Sequence, residues 1–357
     1  MMFKKSISKQ SLIGVIVGLL VAWGMFLRYE TLDKRPLWGD ENFQLIHSRG
    51  DFKPVWQRFS YGDNTCFPGD YLLTYFFVQH SGENKWKLAT PHIAATLLGF
   101  WILYLIAKKY FRTPAGYLTA FTVMVFNREL IFHAFELRPY AVLPTLALAT
   151  FYFTGELKER MALLSINKKI LWGIYFAVVI LFHAYGILIT GVSILYHFFS
   201  LSKEDPKRGL LWAYVKYFCL VFAGIFPVWL WYALGNPLNV VNPHSNVFYY
   251  IPHPFDYPAG FLKSILGNLL GNKVLYILSL GVLGSFVVVS SQRKTLLGFL
   301  LVMIVLPIQL ILLVDVKNYY LFIQRQFVWV IPFFAIFLGL AWDSLFIVLG
   351  KKDRGVF

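Results

Sequence analysis

Long apolar runs, each closed by a short polar or basic segment, set the pattern of this chain. Ten such runs fall at approximately 11–27, 88–107, 114–127, 139–154, 170–183, 185–200, 209–232, 274–290, 296–314 and 327–349. Several reach the ~17–25 residues that a transmembrane helix needs, and the short alternating segments of a membrane β-barrel are not seen. The pattern predicts an all-α, polytopic helical membrane protein of about ten transmembrane helices, forming one domain over residues 1–357. Lys4, Lys5 and Lys9 before Ser11–Leu27 resemble a signal peptide, but the run is long for one and no small-residue cleavage site precedes Arg28. It reads as a retained first span.

The run Ile170–Ser200 fits one long tilted helix or two short ones, and charge decides between them. With two short spans turning near His183-Ala184-Tyr185-Gly186, basic clusters alternate onto one face. These are Lys4, Lys5, Lys9; Lys108, Lys109, Arg112; Lys158, Arg160, Lys168, Lys169; Lys203, Lys207, Arg208; Arg293, Lys294; and Lys351, Lys352, Arg354. Short basic loops mark the cytoplasmic side. A single helix would put Lys203, Lys207 and Arg208 outside and invert every later loop. Both ends are therefore expected in the cytoplasm, with no separate soluble domain.

Composition agrees: 58% of residues are hydrophobic, 19% aromatic and only 14% charged. The net charge of +15 would suggest nucleic acid in a soluble domain, but here it sits in short loops and reads as topology. Cys66 and Cys219 fall in a loop and inside an apolar run and read as unpaired.

Carboxylates concentrate on the opposite, extracytoplasmic face. The long first loop, 28–87, carries Trp38-Gly39-Asp40-Glu41 and then Phe67-Pro68-Gly69-Asp70-Tyr71. A carboxylate at a low-dielectric boundary is suited to general-base work, and aromatic rings beside it suit sugars or lipid tails. The competing readings are a helix cap for the Asp-Glu pair and turn chemistry for Asp70. The segment 127–138 supplies His133, Glu136 and Arg138, followed by Tyr140. Ionisable residues at membrane depth are costly and usually functional, although a structural ion pair fits too. His183 stands at an outer turn, either as a site residue or as a hydrogen-bonded interface residue. A Pro-rich loop at 233–273 is also outside, and Arg325 precedes the last span, where a guanidinium suits phosphate or merely snorkels. No Asp-x-Asp metal motif, Walker-type loop, Gly-x-Ser-x-Gly elbow or His/Cys ligand cluster occurs. No cofactor is predicted, and metal dependence is left open.

Leu37-Trp38-Gly39-Asp40-Glu41, Phe67-Pro68-Gly69-Asp70-Tyr71-Leu72-Leu73 and Glu136-Leu137-Arg138-Pro139-Tyr140-Ala141, in this order, resemble the GT-C superfamily of membrane glycosyltransferases. The nearest branch is that of the protein O-mannosyltransferases and lipid A aminoarabinose transferases. The turn departs from the family's His-Pro-Pro-Leu-Tyr, and Gln326 follows Arg325 where the family has Tyr. The resemblance implies transfer of a sugar from a polyprenyl-phosphate donor to a glycan, lipid or protein acceptor on the outer face of a bacterial or archaeal plasma membrane, with inversion. It implies Asp40 and Glu41 as the catalytic pair, Asp40 being the base while Glu41 holds geometry or pairs with a cation. Arg325 and Arg138 would bind the donor phosphate, and Trp38, Asp70, Tyr71, Glu136, Tyr140 and His183 the substrates. The rival class is a transporter or lipid flippase, which also holds ionisable groups at membrane depth. Such carriers commonly show inverted repeats, and none is visible here.

Overall fold

The computed structural model describes residues 9–53, 68–160, 163–183, 185–202, 208–235, 297–298, 300–301, 303–310 and 327–352. Among them no strand occurs. The helices are α1 (Lys9–Lys34), α2 (Gly39–His47), α3 (Pro68–Ser81), α4 (Lys85–Tyr110), α5 (Pro114–Phe126), α6 (Arg128–Phe132), α7 (Leu143–Arg160), α8 (Ile166–Phe182), α9 (Gly186–Ser202), α10 (Arg208–Gly235) and α11 (Val330–Lys352). A 3₁₀ turn covers Pro139–Ala141, and residues 303–310 are helical.

Among the described residues, three helices are long and apolar enough to cross a membrane: Ser11–Lys34, Lys85–Tyr110 and Val330–Gly350. Pro114–Phe126, Gly186–Phe198 and Trp212–Pro227 are shorter apolar helices. Large apolar side chains such as Leu19, Trp101 and Leu220 point outward, as an apolar solvent permits. The protein is a multi-pass helical membrane protein. The expected run 274–290 lies outside the described residues, and 296–314 is described only in part.

The centre of the bundle is α5 against α11, with α1 on α5 and α7 between α4, α9 and α11. Small residues allow the close approach, as in membrane helix pairs generally. A Cβ on Gly339 would lie 2.5 Å from Phe111 Cζ and 2.9 Å from the Gly116 carbonyl. At the basic end, Asp343 of α11 caps α5 across the interface. Its Oδ1 accepts from the backbone N–H groups of Arg112 (2.9 Å) and Thr113 (2.5 Å) and from the Thr113 hydroxyl (2.7 Å). Arg28, buried in α1, caps the other end. It donates to the carbonyls of Met124 (2.8 Å) and Val125 (3.3 Å), which α5 leaves without helical partners.

The break between α8 and α9 is where charge placed it. The Gly186 N–H donates to the His183 carbonyl at 2.7 Å. A Cβ on Gly186 would collide with the Val179 carbonyl, so only glycine lets the chain fold back there.

The segment after the first apolar run differs from the expected long loop. α1 continues through Arg28 to Lys34, and α2 and α3 occupy much of the rest. Local chemistry explains both short helices. Trp38 is the extended N-cap of α2, and Glu41, three residues on, accepts its backbone N–H at 3.1 Å. This is half of a capping box, and Asp40 and Glu41 in the first turn suit the positive end of the helix dipole. Pro68 opens α3, where its missing N–H costs nothing.

Candidate active site

Two short connections meet above the bundle. One is Arg35–Glu41, running from the end of α1 into α2. The other is α6 and the turn that follows it, up to the 3₁₀ turn at Pro139. Asn127 ends α5 and starts α6 by accepting the Leu130 N–H at 3.1 Å.

Two buried carboxylates join these connections. Glu41 is 1% exposed. It pairs with Arg35, accepts the Trp38 N–H, and takes the Leu137 N–H at 2.9 Å. Arg35 also donates to the Phe132 carbonyl at 3.0 Å, with its guanidinium 5.0 Å from the Phe132 ring centre. Glu136, fully buried, accepts the Trp38 indole N–H at 2.9 Å through Oε1 and bonds His133 Nδ1 through Oε2. His133 Nε2 stands 3.4 Å from Glu129 Oε2. Burial of the imidazole lowers its pKa, but the bonds and charges of Glu129 and Glu136 outweigh this, so it rises above the usual 6.5. The capping reading of the Asp-Glu pair is thus correct for Glu41. Asp40, one position earlier in the same turn, is only partly buried.

Asp70 sits in the first turn of α3, fully buried, and accepts from Gln44 Nε2 at 2.6 Å; the same nitrogen donates to Thr74 Oγ1 at 2.7 Å. This docks α3 on α2. Tyr71 is buried beside Leu72 and Tyr75. Arg138 is also buried, its guanidinium 6.0 Å from the Tyr140 ring centre. Tyr140 in turn packs edge-on against His133 (6.0 Å) and His183 (6.1 Å). His183 is fully buried, and its Nδ1 accepts the Tyr185 N–H at 3.0 Å. Tyr140 therefore connects the Glu136 cluster with the α8–α9 turn. Arg325 lies outside the described residues. No group of His, Cys, Asp and Glu suited to a metal occurs among the described residues.

Sequence reasoning missed Arg28, Gln44 and His92. Arg28 and His133 line one cleft with Thr96, Tyr140 and Thr145. His92 is fully buried on α4 and feels the charge of Glu136. A polar residue inside an apolar run was the available signal for His92, and a lone arginine directly after the first run was that for Arg28; Gln44 carried none.

Comparison with known families adds one finding. The family model described as dolichyl-phosphate-mannose-protein mannosyltransferase matches residues 68–231. The match bears out the GT-C resemblance. It indicates a membrane glycosyltransferase. Asp70, Glu136, Arg138, Tyr140 and His183 fall inside the matched residues, and the Asp40 turn lies before them. No curated protein and no solved structure matches the chain.

Proposed function

We propose that this GT-C protein transfers a sugar, with mannose the first candidate, from a polyprenyl-phosphate donor to an acceptor hydroxyl on the extracytoplasmic face. The observation that carries the reading is the turn at Trp38–Glu41. Glu41 and Glu136 clamp it from two sides, and Asp40 stands in its first helical turn, partly buried. In this reading Asp40 is the general base that takes the acceptor proton, and Glu41 is a positioning residue. The acceptor oxygen attacks the anomeric carbon as the bond to the lipid phosphate breaks. One such displacement inverts that carbon.

Negative charge grows on the phosphate as the bond breaks, so a fixed guanidinium stabilises the transition state more than the ground state. Arg325 and Arg138 take that role. Lys85, which donates to the carbonyls of Asp33 (2.9 Å) and Arg35 (3.4 Å), is the nearby alternative cation. Trp38 offers an exposed ring face for sugar or isoprenoid, while the buried Tyr71 and Tyr140, with Asp70 and His183, hold the walls around it.

The test is incubation of the purified protein with a panel of polyprenyl-phosphate sugars. Release of lipid phosphate with one of them, dependent on acceptor, is the expected result. Movement of intact donor across a vesicle bilayer without cleavage would favour the flippase class instead.

A further inference from the structure

His133 has a carboxylate at each ring nitrogen. Nδ1 bonds Glu136 Oε2, and Nε2 faces Glu129 Oε2 at 3.4 Å. A neutral imidazole carries one N–H and can satisfy only one of the two; the doubly protonated ring satisfies both. The second oxygen of Glu136 receives the Trp38 indole at 2.9 Å. Trp38 is the N-cap of α2, two residues before Asp40. The chain Glu129–His133–Glu136–Trp38 therefore runs from α6 to the turn that carries Asp40. Among the described residues, the other ionisable groups around it include Arg28 of α1, which lines the same cleft as His133, His92 of α4, which feels Glu136, Tyr140, whose ring is 6.0 Å away, Arg35, which donates to the Phe132 carbonyl, and Arg138, whose backbone N–H donates to the Glu136 carbonyl.

We propose that His133 is a positioning residue. Its imidazolium holds Glu136 so that it receives the Trp38 indole, which fixes the first turn of α2 and the place of Asp40, and loss of the ring proton releases that turn.

The proposal rests on the reading of Asp40 as the base, but the link from His133 to Trp38 has its own readout. The two carboxylates raise the imidazole above its usual 6.5. The clamp is therefore complete at and below that pH and is lost as pH rises through the raised value. A purely structural histidine, neutral and bonded to one partner, would show no such transition.

The experiment follows Trp38 fluorescence against pH in the full chain in detergent, as the difference between the parent and Trp38→Phe. Lipid-phosphate release is measured in parallel over the same pH range. One fluorescence transition on the alkaline side is expected, with kcat falling through the same pH. Glu129→Gln removes the anion at Nε2 while leaving Nδ1 and Glu136 in place. The midpoint of both curves should then move to lower pH by about one unit, since an opposite charge at this distance is worth that much or more. His133→Gln should abolish the transition. An unmoved midpoint in Glu129→Gln, or the same transition in His133→Gln, overturns the proposal. A chain that shows the shift in fluorescence but transfers no sugar keeps the His133–Trp38 link and refutes only the role of Asp40.

Discussion

At the scale of single residues, the two members of the Asp-Glu pair separate by what surrounds them. Glu41 is spent on Arg35, Trp38 and Leu137, all of which hold two connections together. Glu41→Gln leaves the partly buried Arg35 without its counter-charge, and loss of one partner of a buried pair costs about 3–5 kcal/mol. The lower end is expected here because Gln keeps an acceptor oxygen. A lower Tm in detergent, with donor affinity reduced in proportion to unfolding, would check it. Arg325 makes a different prediction. Lysine keeps the charge but loses the planar fork, so Arg325→Lys should transfer sugar more slowly than the parent yet faster than Arg325→Ala. Equal rates in all three would make Arg325 an interfacial anchor. The residue pairs themselves were hard to read in the sequence. Trp38 and Glu136 lie 98 positions apart, and Gln44 and Asp70 lie 26 apart. Nothing in either residue type names its partner.

At the scale of elements, caps supplied from a distance hold the bundle. Asp343→Ala removes the acceptor for two backbone N–H groups and one hydroxyl at the start of α5. Loss of such a cap costs about 1–2 kcal/mol, and thermal unfolding of the purified variant should show a drop of that size. Gly339→Ala should be at least as damaging. Its new Cβ meets the Phe111 ring and the Gly116 backbone, and overpacking costs about 1–3 kcal/mol. An unchanged Tm in Gly339→Ala would show that α5 and α11 are not in close contact. The main helices were legible because hydropathy marks them and charge places their ends, down to the break at His183. The helices α2 and α3 were not, since each is short and lies between spans. Their signals were local: Glu at the third position of α2, and Pro at the start of α3. The caps from Arg28 and Asp343 were visible only as charges, one directly after the first apolar run and one inside the last, without any indication of what they bind.

At the scale of the whole molecule, the polar chemistry gathers at one end, where α1, α4 and α6 meet α2 and α3. By the positive-inside rule the loop charges predict that this end faces outside. In a cysteine-free background, Asn64→Cys, Val247→Cys and Lys317→Cys should each react with an impermeant thiol reagent in intact cells; protection of all three until lysis would reverse the topology. The match over residues 68–231 supports glycosyl transfer, and the proposed base is Asp40 of the clamped turn at Trp38–Glu41. The most direct test of the central claim is single-turnover cleavage of a polyprenyl-phosphate sugar by Asp40→Asn beside the parent, with donor binding and folding measured on the same samples. A positioned general base contributes about 10²–10⁴-fold. The account predicts a rate reduced by that factor, with donor affinity and Tm near those of the parent. Cleavage at the parental rate in a folded Asp40→Asn protein would contradict it.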